Sequence, residues 1–289
     1  MPSLVYHLMA IIVVAIWGIT FVSTKVLINY GLSPQEIFIL RFIVAYLGIW
    51  IVSPKKLFAK SKKDEFLLFL GGLTGGSLYF LTENTALGIT QSTNVSLIIC
   101  TAPLLTTMLS VLFYKGEKVT RKLLTGSVMA LFGVGLLVFN GSFILNISPL
   151  GDFLTLLAAL AWAFYCLVIR KVGDRYHSVF ITRKVFFYGI LTSLPIFLIN
   201  SWQFPLEGLL EPVVSMNLLF LSLVASLGCF LAWNIVVKHL GTIITTHYLY
   251  LDPLFTIVCA SIVLGEKLTI FSVAGIILIL FGLIMAARK

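Results

Sequence analysis

Residues 116–122 read GEKVTRK, and residues 265–271 read GEKLTIF. Each Gly-Glu-Lys ends a long apolar run with a proline inside it, Pro103 in the first case and Pro253 in the second. Glu117 and Glu266 stand 149 residues apart, and their surroundings repeat with them: Gly126 answers Gly275, Phe132-Gly133 answers Phe281-Gly282, Asn84 answers Asn234 and Trp17 answers Trp162. The chain therefore divides into two copies of one unit, residues 1–141 and 142–289. What differs is the charge. Lys115, Lys118, Arg121 and Lys122 surround the first loop, whereas the second holds only Lys267.

Composition says where such loops sit. Of 289 residues, 60% are hydrophobic and 11% charged, with a mean hydropathy of +1.08. Soluble domains run about 45–50% apolar and about 25% charged, and no soluble core of this size hides so much apolar surface. A membrane span needs about 20 apolar residues. Reading for such runs gives ten: Leu4–Leu27, Pro34–Val52, Phe66–Leu87, Ser92–Phe113, Leu123–Phe139, Phe153–Ile169, Val179–Ile199, Val213–Val237, Thr242–Leu264 and Ile270–Ala287. No gap is long enough for a soluble domain. The net charge of +9 lies in short gaps between these runs, not on the basic face of a polar domain that nucleic-acid binding requires. Cys100, Cys166, Cys229 and Cys259 lie singly inside apolar runs, where cysteine packs as a small apolar residue, and they form no disulfide framework or metal motif.

Lys55, Lys56, Lys60, Lys62 and Lys63 follow the second span, the Lys115–Lys122 cluster follows the fourth, and Arg170, Lys171 and Arg175 follow the sixth. Lys238 ends the eighth span and Arg288-Lys289 follow the tenth. The positive-inside rule then places the even-numbered gaps and both termini in the cytoplasm. Five spans per copy is an odd number, so the second copy is expected to enter the membrane upside down. Its Gly-Glu-Lys faces out and has shed the basic residues that its twin retains. Inverted repeats of this kind mark secondary transporters, with a solute site near the middle of the membrane where the repeats meet.

Further stretches carry a family resemblance: AIWGITFVSTK (15–25), ILRF (39–42), ENTALGITQSTNVSLIICTAPLLTTMLSVLFYKGEKVT (83–120) and LYLDPLFTIVCASIVLGEKLT (249–269), followed by a glycine-bearing last helix. Over nearly its whole length the chain resembles the drug/metabolite transporter superfamily, specifically its EamA-like ten-helix members. The resemblance implies an all-helical integral membrane fold of two EamA repeats, both termini inside, and movement of small metabolites, often outward. It fixes no substrate, because members move amino acids, sugars, nucleotide derivatives and drugs. Asp252 stands before Pro253 where glutamate is common in such proteins, and Glu83-Asn84 is missing from many of them.

Polar residues within the apolar runs are the candidate site. A carboxylate in a span costs on the order of 2.5–3.5 kcal/mol, so Glu83 is expected to face a cavity or a partner; the alternative is a solvated place at the outer interface. Gly72, Gly76, Tyr79 and Glu83 fall on one helical stripe. Lys25 and Arg41 lie toward the outer side, Lys25 as a gate residue or a snorkelling cation, Arg41 as a partner for Glu83 or Glu36. His247 and Asp252 are candidate proton carriers or hydrogen-bonded structural groups. Trp17 and Trp162 lie mid-helix, away from the interfacial belt. With Tyr165, Trp233, the Asn84–Asn234 pair, His247 and Tyr250 they are expected to wall a substrate cavity, with core packing as the alternative for the aromatics. Pro103 and Pro253 each free the carbonyl four residues back, at Ile99 and Leu249, as plain kinks or as hinges.

The expectation is a secondary transporter in the cytoplasmic (inner) membrane that exports a small polar or amphipathic metabolite, amino-acid-like or drug-like, by alternating access. It needs no cofactor or metal. Its partners are the solute, the lipid bilayer and, if transport is coupled, protons; the sequence leaves the oligomeric state open. The alternatives are a channel-like facilitative permease without proton coupling and a membrane-embedded enzyme. The enzyme lacks its motifs, since neither His-Glu-x-x-His nor Gly-x-Ser-x-Gly occurs.

Overall fold

The computed structural model describes residues 2–52, 58–90, 92–114, 120–139, 148–264 and 270–287. Both Gly-Glu-Lys loops and the boundary between the two units lie outside these, as do the side chains of Lys55, Lys56, Arg288 and Lys289. All regular structure among the described residues is helical. In chain order the elements are α1 (Pro2–Asn29), α2 (Pro34–Val52), α3 (Lys62–Gly72), a π segment (Leu73–Leu78), α4 (Tyr79–Ile89), α5 (Ser92–Ile99), α6 (Ala102–Phe113) and α7 (Arg121–Phe139). Then follow α8 (Pro149–Gly173), α9 (Ser178–Ser193), α10 (Ile196–Ile199), a 3-10 turn (Leu206–Leu210), α11 (Pro212–Leu219), a second π segment (Phe220–Gly228), α12 (Cys229–Leu240), α13 (Thr242–His247), a 3-10 turn (Tyr248–Leu251), α14 (Asp252–Leu264) and α15 (Ile270–Ala287).

Hydrocarbon offers the peptide group no hydrogen bonds, so an apolar chain in a bilayer closes its own as helix. Among the described residues, seven stretches are long and apolar enough to cross: Leu4–Asn29, Pro34–Ile51, Lys62–Ile89, Val95–Phe113, Pro149–Gly173, Ser178–Ile199 and Pro212–Leu240, with Val273–Ala286 a shorter apolar helix. Ile51, Leu112, Phe132 and Leu198 stand exposed on the outside of the bundle. Apolar surface on this scale is stable only when lipid covers it.

The interruptions matter more than the helices. Adding 149 to residues 73–78 gives 222–227, which falls inside the second π segment. The helix carrying Pro103 breaks at Cys100-Thr101, and the one carrying Pro253 tightens into the 3-10 turn Tyr248–Leu251. The two breaks touch: the Cys100 Sγ–H donates to the Leu249 carbonyl at 3.6 Å across a separation of 149 residues. Leu249 is the residue whose carbonyl Pro253 frees.

α8 lies at the centre, packed on α3, α4, α5, α6 and α12, while α1 packs on α12 and α14. α7 and α15 pair off to one side. A Cβ on Gly126 would fall 2.5 Å from the Gly282 carbonyl oxygen, and one on Gly133 would fall 2.7 Å from that of Gly275. The low-numbered glycine of α7 thus meets the high-numbered glycine of α15, and vice versa, so the helices run antiparallel at close range.

The first π segment corrects the expected glycine stripe. Its extra residue per turn rotates the helix face. Gly72 and Gly76 face α9, against Tyr188 and Gly189, while Gly75 lies on the Tyr165 ring of α8. Tyr79 and Glu83 continue the Gly75 side, since Tyr79 packs on Trp162 of α8.

Gly126→Val is expected to lower stability by about 1–3 kcal/mol through overpacking, read as an earlier thermal unfolding of the purified protein in detergent. Gly135→Ala serves as the control because its Cβ meets open space; equal midpoints for the two variants would contradict the close approach.

Candidate functional site

A small interior cavity lies where α1, α2, α4, α8 and α12 meet the two helix breaks. Ile99 and Ala102 border it from the first break, Leu249 and Asp252 from the second. Trp17, Thr20, Phe21, Arg41, Tyr79, Phe80, Glu83, Trp162 and Phe230 complete the lining.

The walls are aromatic. Trp17 meets Trp162 edge-on with ring centroids 5.2 Å apart, and Tyr79 lies 5.1 Å from Trp162 and 4.9 Å from Phe80. Phe230 reaches Trp17, Phe80 and Trp162 at 6.1, 6.2 and 5.8 Å. These rings join the walls into one cluster, each pair adding roughly 0.5–1.5 kcal/mol beyond its buried area.

One guanidinium and two carboxyl side chains face this space, and all are buried: Arg41, Glu83 and Asp252 are 1%, 6% and 3% exposed. Tyr79 Oη donates to Glu83 Oε1 at 2.7 Å. Arg41 Nε donates to Ser226 Oγ at 2.8 Å, and its guanidinium stacks 4.3 Å from the centre of the Phe80 ring. Asp252 Oδ1 has no hydrogen-bond partner. Among the described residues no ion pair within 4.0 Å joins Arg41 to either carboxylate. Glu83 lies in Coulombic range of both. The second π segment holds this arrangement from behind: the Ala225 carbonyl accepts from Trp17 Nε1 at 3.0 Å, and its neighbour Ser226 holds Arg41.

Of the residues singled out in the sequence, Trp17, Arg41, Tyr79, Glu83, Trp162 and Asp252 therefore meet at one cavity. The others stand behind it or elsewhere. Trp233 packs 4.9 Å behind Trp17. Tyr165 Oη donates to Asn234 Oδ1 at 2.9 Å, and Asn234 Nδ2 donates to Thr182 Oγ1 at 2.8 Å, which ties α8, α12 and α9 together. Asn84 Nδ2 donates to the Pro34 carbonyl at 3.2 Å. Lys25 Nζ donates to the Leu87 carbonyl at 2.6 Å, a cation on one of the last four unpaired carbonyls of α4. His247 spends both ring nitrogens on Ser127 Oγ (2.8 Å) and the Ile243 carbonyl (2.6 Å), and Tyr250 packs against its ring. Glu36 does not meet Arg41; it accepts from the backbone N–H groups of Ser33, Gln203 and Phe204 at 2.8, 2.6 and 3.0 Å. Pro103 and Pro253 sit just past the breaks that border the cavity.

Sequence reading missed Thr20, Phe80, Phe230 and Ser226. In a chain with 23 phenylalanines, two more carry no signal, and Ser226 matters only through the π segment. It also missed an anchor at one end of the bundle. Asp64 is held by Arg175 and accepts from Tyr176 Oη at 2.8 Å, while Glu65 takes Lys184 and Tyr188. Partial burial and the bond to Asp64 push the Tyr176 hydroxyl above the ordinary tyrosine range.

A helical membrane bundle whose interrupted helices meet at a buried, charged and aromatic cavity is the architecture of a solute transporter. The chain belongs to the EamA-like transporter family, which matches residues 4–139 and 149–288. It is similar to an uncharacterized transporter of Archaeoglobus fulgidus, 27% identical over 287 residues, covering 98% of this chain and 97% of the other. Proteins of Salmonella typhimurium and Escherichia coli, each named a probable amino-acid metabolite efflux pump, are 28% and 26% identical over 95% of this chain and 92% of their own. A solved crystal structure shares the fold, with a TM-score of 0.73 at 17% identity over 97% of both chains. The protein is thus an integral membrane transporter and not an enzyme.

Asn234→Leu is expected to lower stability by about 1–2 kcal/mol, since Tyr165 Oη and Thr182 Oγ1 lose their partner. Detergent thermal unfolding measures this. An unchanged midpoint would mean that the pair is not structural.

Proposed function

We propose that this protein is a secondary transporter that exports a small polar or amphipathic metabolite, amino-acid-like or drug-like, across the cytoplasmic membrane by alternating access. It does so with ten spans arranged as two inverted five-helix repeats, residues 1–141 and 142–289, and with both termini in the cytoplasm. The observation that carries this reading is the meeting of two repeat-equivalent helix breaks, Cys100 on Leu249, at the wall of a cavity that collects Arg41, Glu83 and Asp252. The crossed glycine contacts Gly126–Gly282 and Gly133–Gly275 support an axis relating the halves, because a two-fold axis returns each contact with its partners exchanged. The efflux-pump names of two relatives favour outward movement and an amino-acid-like solute.

In this mechanism the solute enters between the halves, the bundle rocks about the Cys100–Leu249 crossing, and the cavity opens to the other side. Pro103 and Pro253 supply the bends. Glu83 and Asp252 are the groups through which protons couple to the movement, since each carries a carboxyl into the space that the solute occupies.

Two measurements test this reading. With Lys118→Cys and Lys267→Cys in separate variants, membrane-impermeant thiol labelling of intact cells is expected to reach only the second; labelling of both from one side overturns the inverted arrangement. In liposomes, export of the solute is expected to accelerate when a pH gradient is imposed and to lose that acceleration in Glu83→Gln. Flux indifferent to the gradient leaves a facilitative carrier and removes the coupling role of these carboxyls.

A further inference from the structure

We infer that Asp252 is the seat of a cationic nitrogen, and that the solute of this cavity is an amine with a flat apolar body. This rests on the reading of the cavity as the transport site and narrows it to a chemical class.

Asp252 Oδ1 is buried without a hydrogen-bond donor although the residue borders the cavity. A buried carboxylate left unpaired is expensive, and the nearby charged groups are otherwise engaged. Arg41 is held by Ser226 Oγ and by the face of Phe80, and Glu83 takes the Tyr79 hydroxyl. The count of charge points the same way. With both carboxyls ionised, one guanidinium faces two carboxylates, so an ammonium balances the cavity, a zwitterion leaves one negative charge in excess, and a carboxylate leaves two.

The backbone brings this acceptor to the aromatic wall. Gly18 lets α1 approach so closely that a Cβ there would fall 2.8 Å from the Asp252 carbonyl oxygen. Thr256 Oγ1 bridges the Gly18 and Asp252 carbonyls at 2.9 Å each. Trp17, the neighbour of Gly18, and Asp252 thus border the same cavity, with Trp162 against Trp17 and Tyr79 against Trp162. Aromatic faces attract cations and stack on flat bodies, so the wall that packs the solute's ring also favours its charge.

The test uses the full-length protein in lipid nanodiscs and three matched probes: 2-phenylethylammonium, phenylalanine and 3-phenylpropanoate. Binding is read by quenching of tryptophan fluorescence that disappears in Trp17→Phe. The amine is expected to bind tightest and the carboxylate weakest. Asp252→Asn, which preserves shape, is expected to weaken amine binding about tenfold or more, and Asp252→Glu to restore most of it. Unfolding midpoints of both variants confirm that the fold survives. Equal or tighter binding of phenylalanine or of the carboxylate, or undiminished amine binding in Asp252→Asn, overturns the amine inference and leaves the cavity as the transport site. Absence of Trp17-dependent quenching by all three probes overturns both.

Discussion

The crossing of two interrupted helices is the constraint on which this structure turns. A proline in a span strands a carbonyl, and in hydrocarbon a stranded carbonyl has nothing to bond. This chain places both interruptions in the interior and against each other, so that the Cys100 thiol finds the Leu249 carbonyl. The same solution makes the cavity. Ile99, Ala102, Leu249 and Asp252 flank the breaks and border the space, where irregular backbone is tolerated because it is covered by protein. The satisfied backbone and the cavity thus share one cause.

The π segments are the second level of control. A π turn widens the helix and leaves carbonyls free of regular pairing. In the segment Phe220–Gly228 the Ala225 carbonyl holds Trp17 and the Ser226 hydroxyl holds Arg41. The segment Leu73–Leu78 instead rotates the helix beyond it, so that Tyr79 and Glu83 face α8 and the cavity while Gly72 and Gly76 face α9. Two side chains from α1 and α2 and two from α4 are thus set by backbone irregularity in matching places of the two halves.

Charge is arranged by depth. At one end, Asp64 and Glu65 at the start of α3 are neutralised by Arg175 and Lys184 and by two tyrosines, and the result is an anchor. In the cavity the same residue types are left unequal, two carboxyls to one guanidinium, with Asp252 Oδ1 unpaired. An imbalance that would be wasteful in an anchor is what the proposed site for a cationic solute requires.

Composition and spacing were enough for the helical membrane class, for the two copies of the Gly-Glu-Lys unit and for the six charged and aromatic residues that meet at the cavity. Buried charge in an apolar run is costly and so stands out in a single chain. The same reading grouped Asn84, Asn234, Tyr165, His247 and Tyr250 with the cavity, and there the tertiary structure decided otherwise, because a polar residue in a span satisfies itself equally well by bonding a neighbouring helix. Phe80, Phe230 and Ser226 were invisible for the opposite reason: phenylalanine is background in such a chain, and a serine acquires a role only from the π turn that carries it. Sequence determined which groups had to be buried; only the packing of the interrupted helices decided which buried groups face one another across an open space, since that depends on helix rotation, and a single extra residue in a turn resets it.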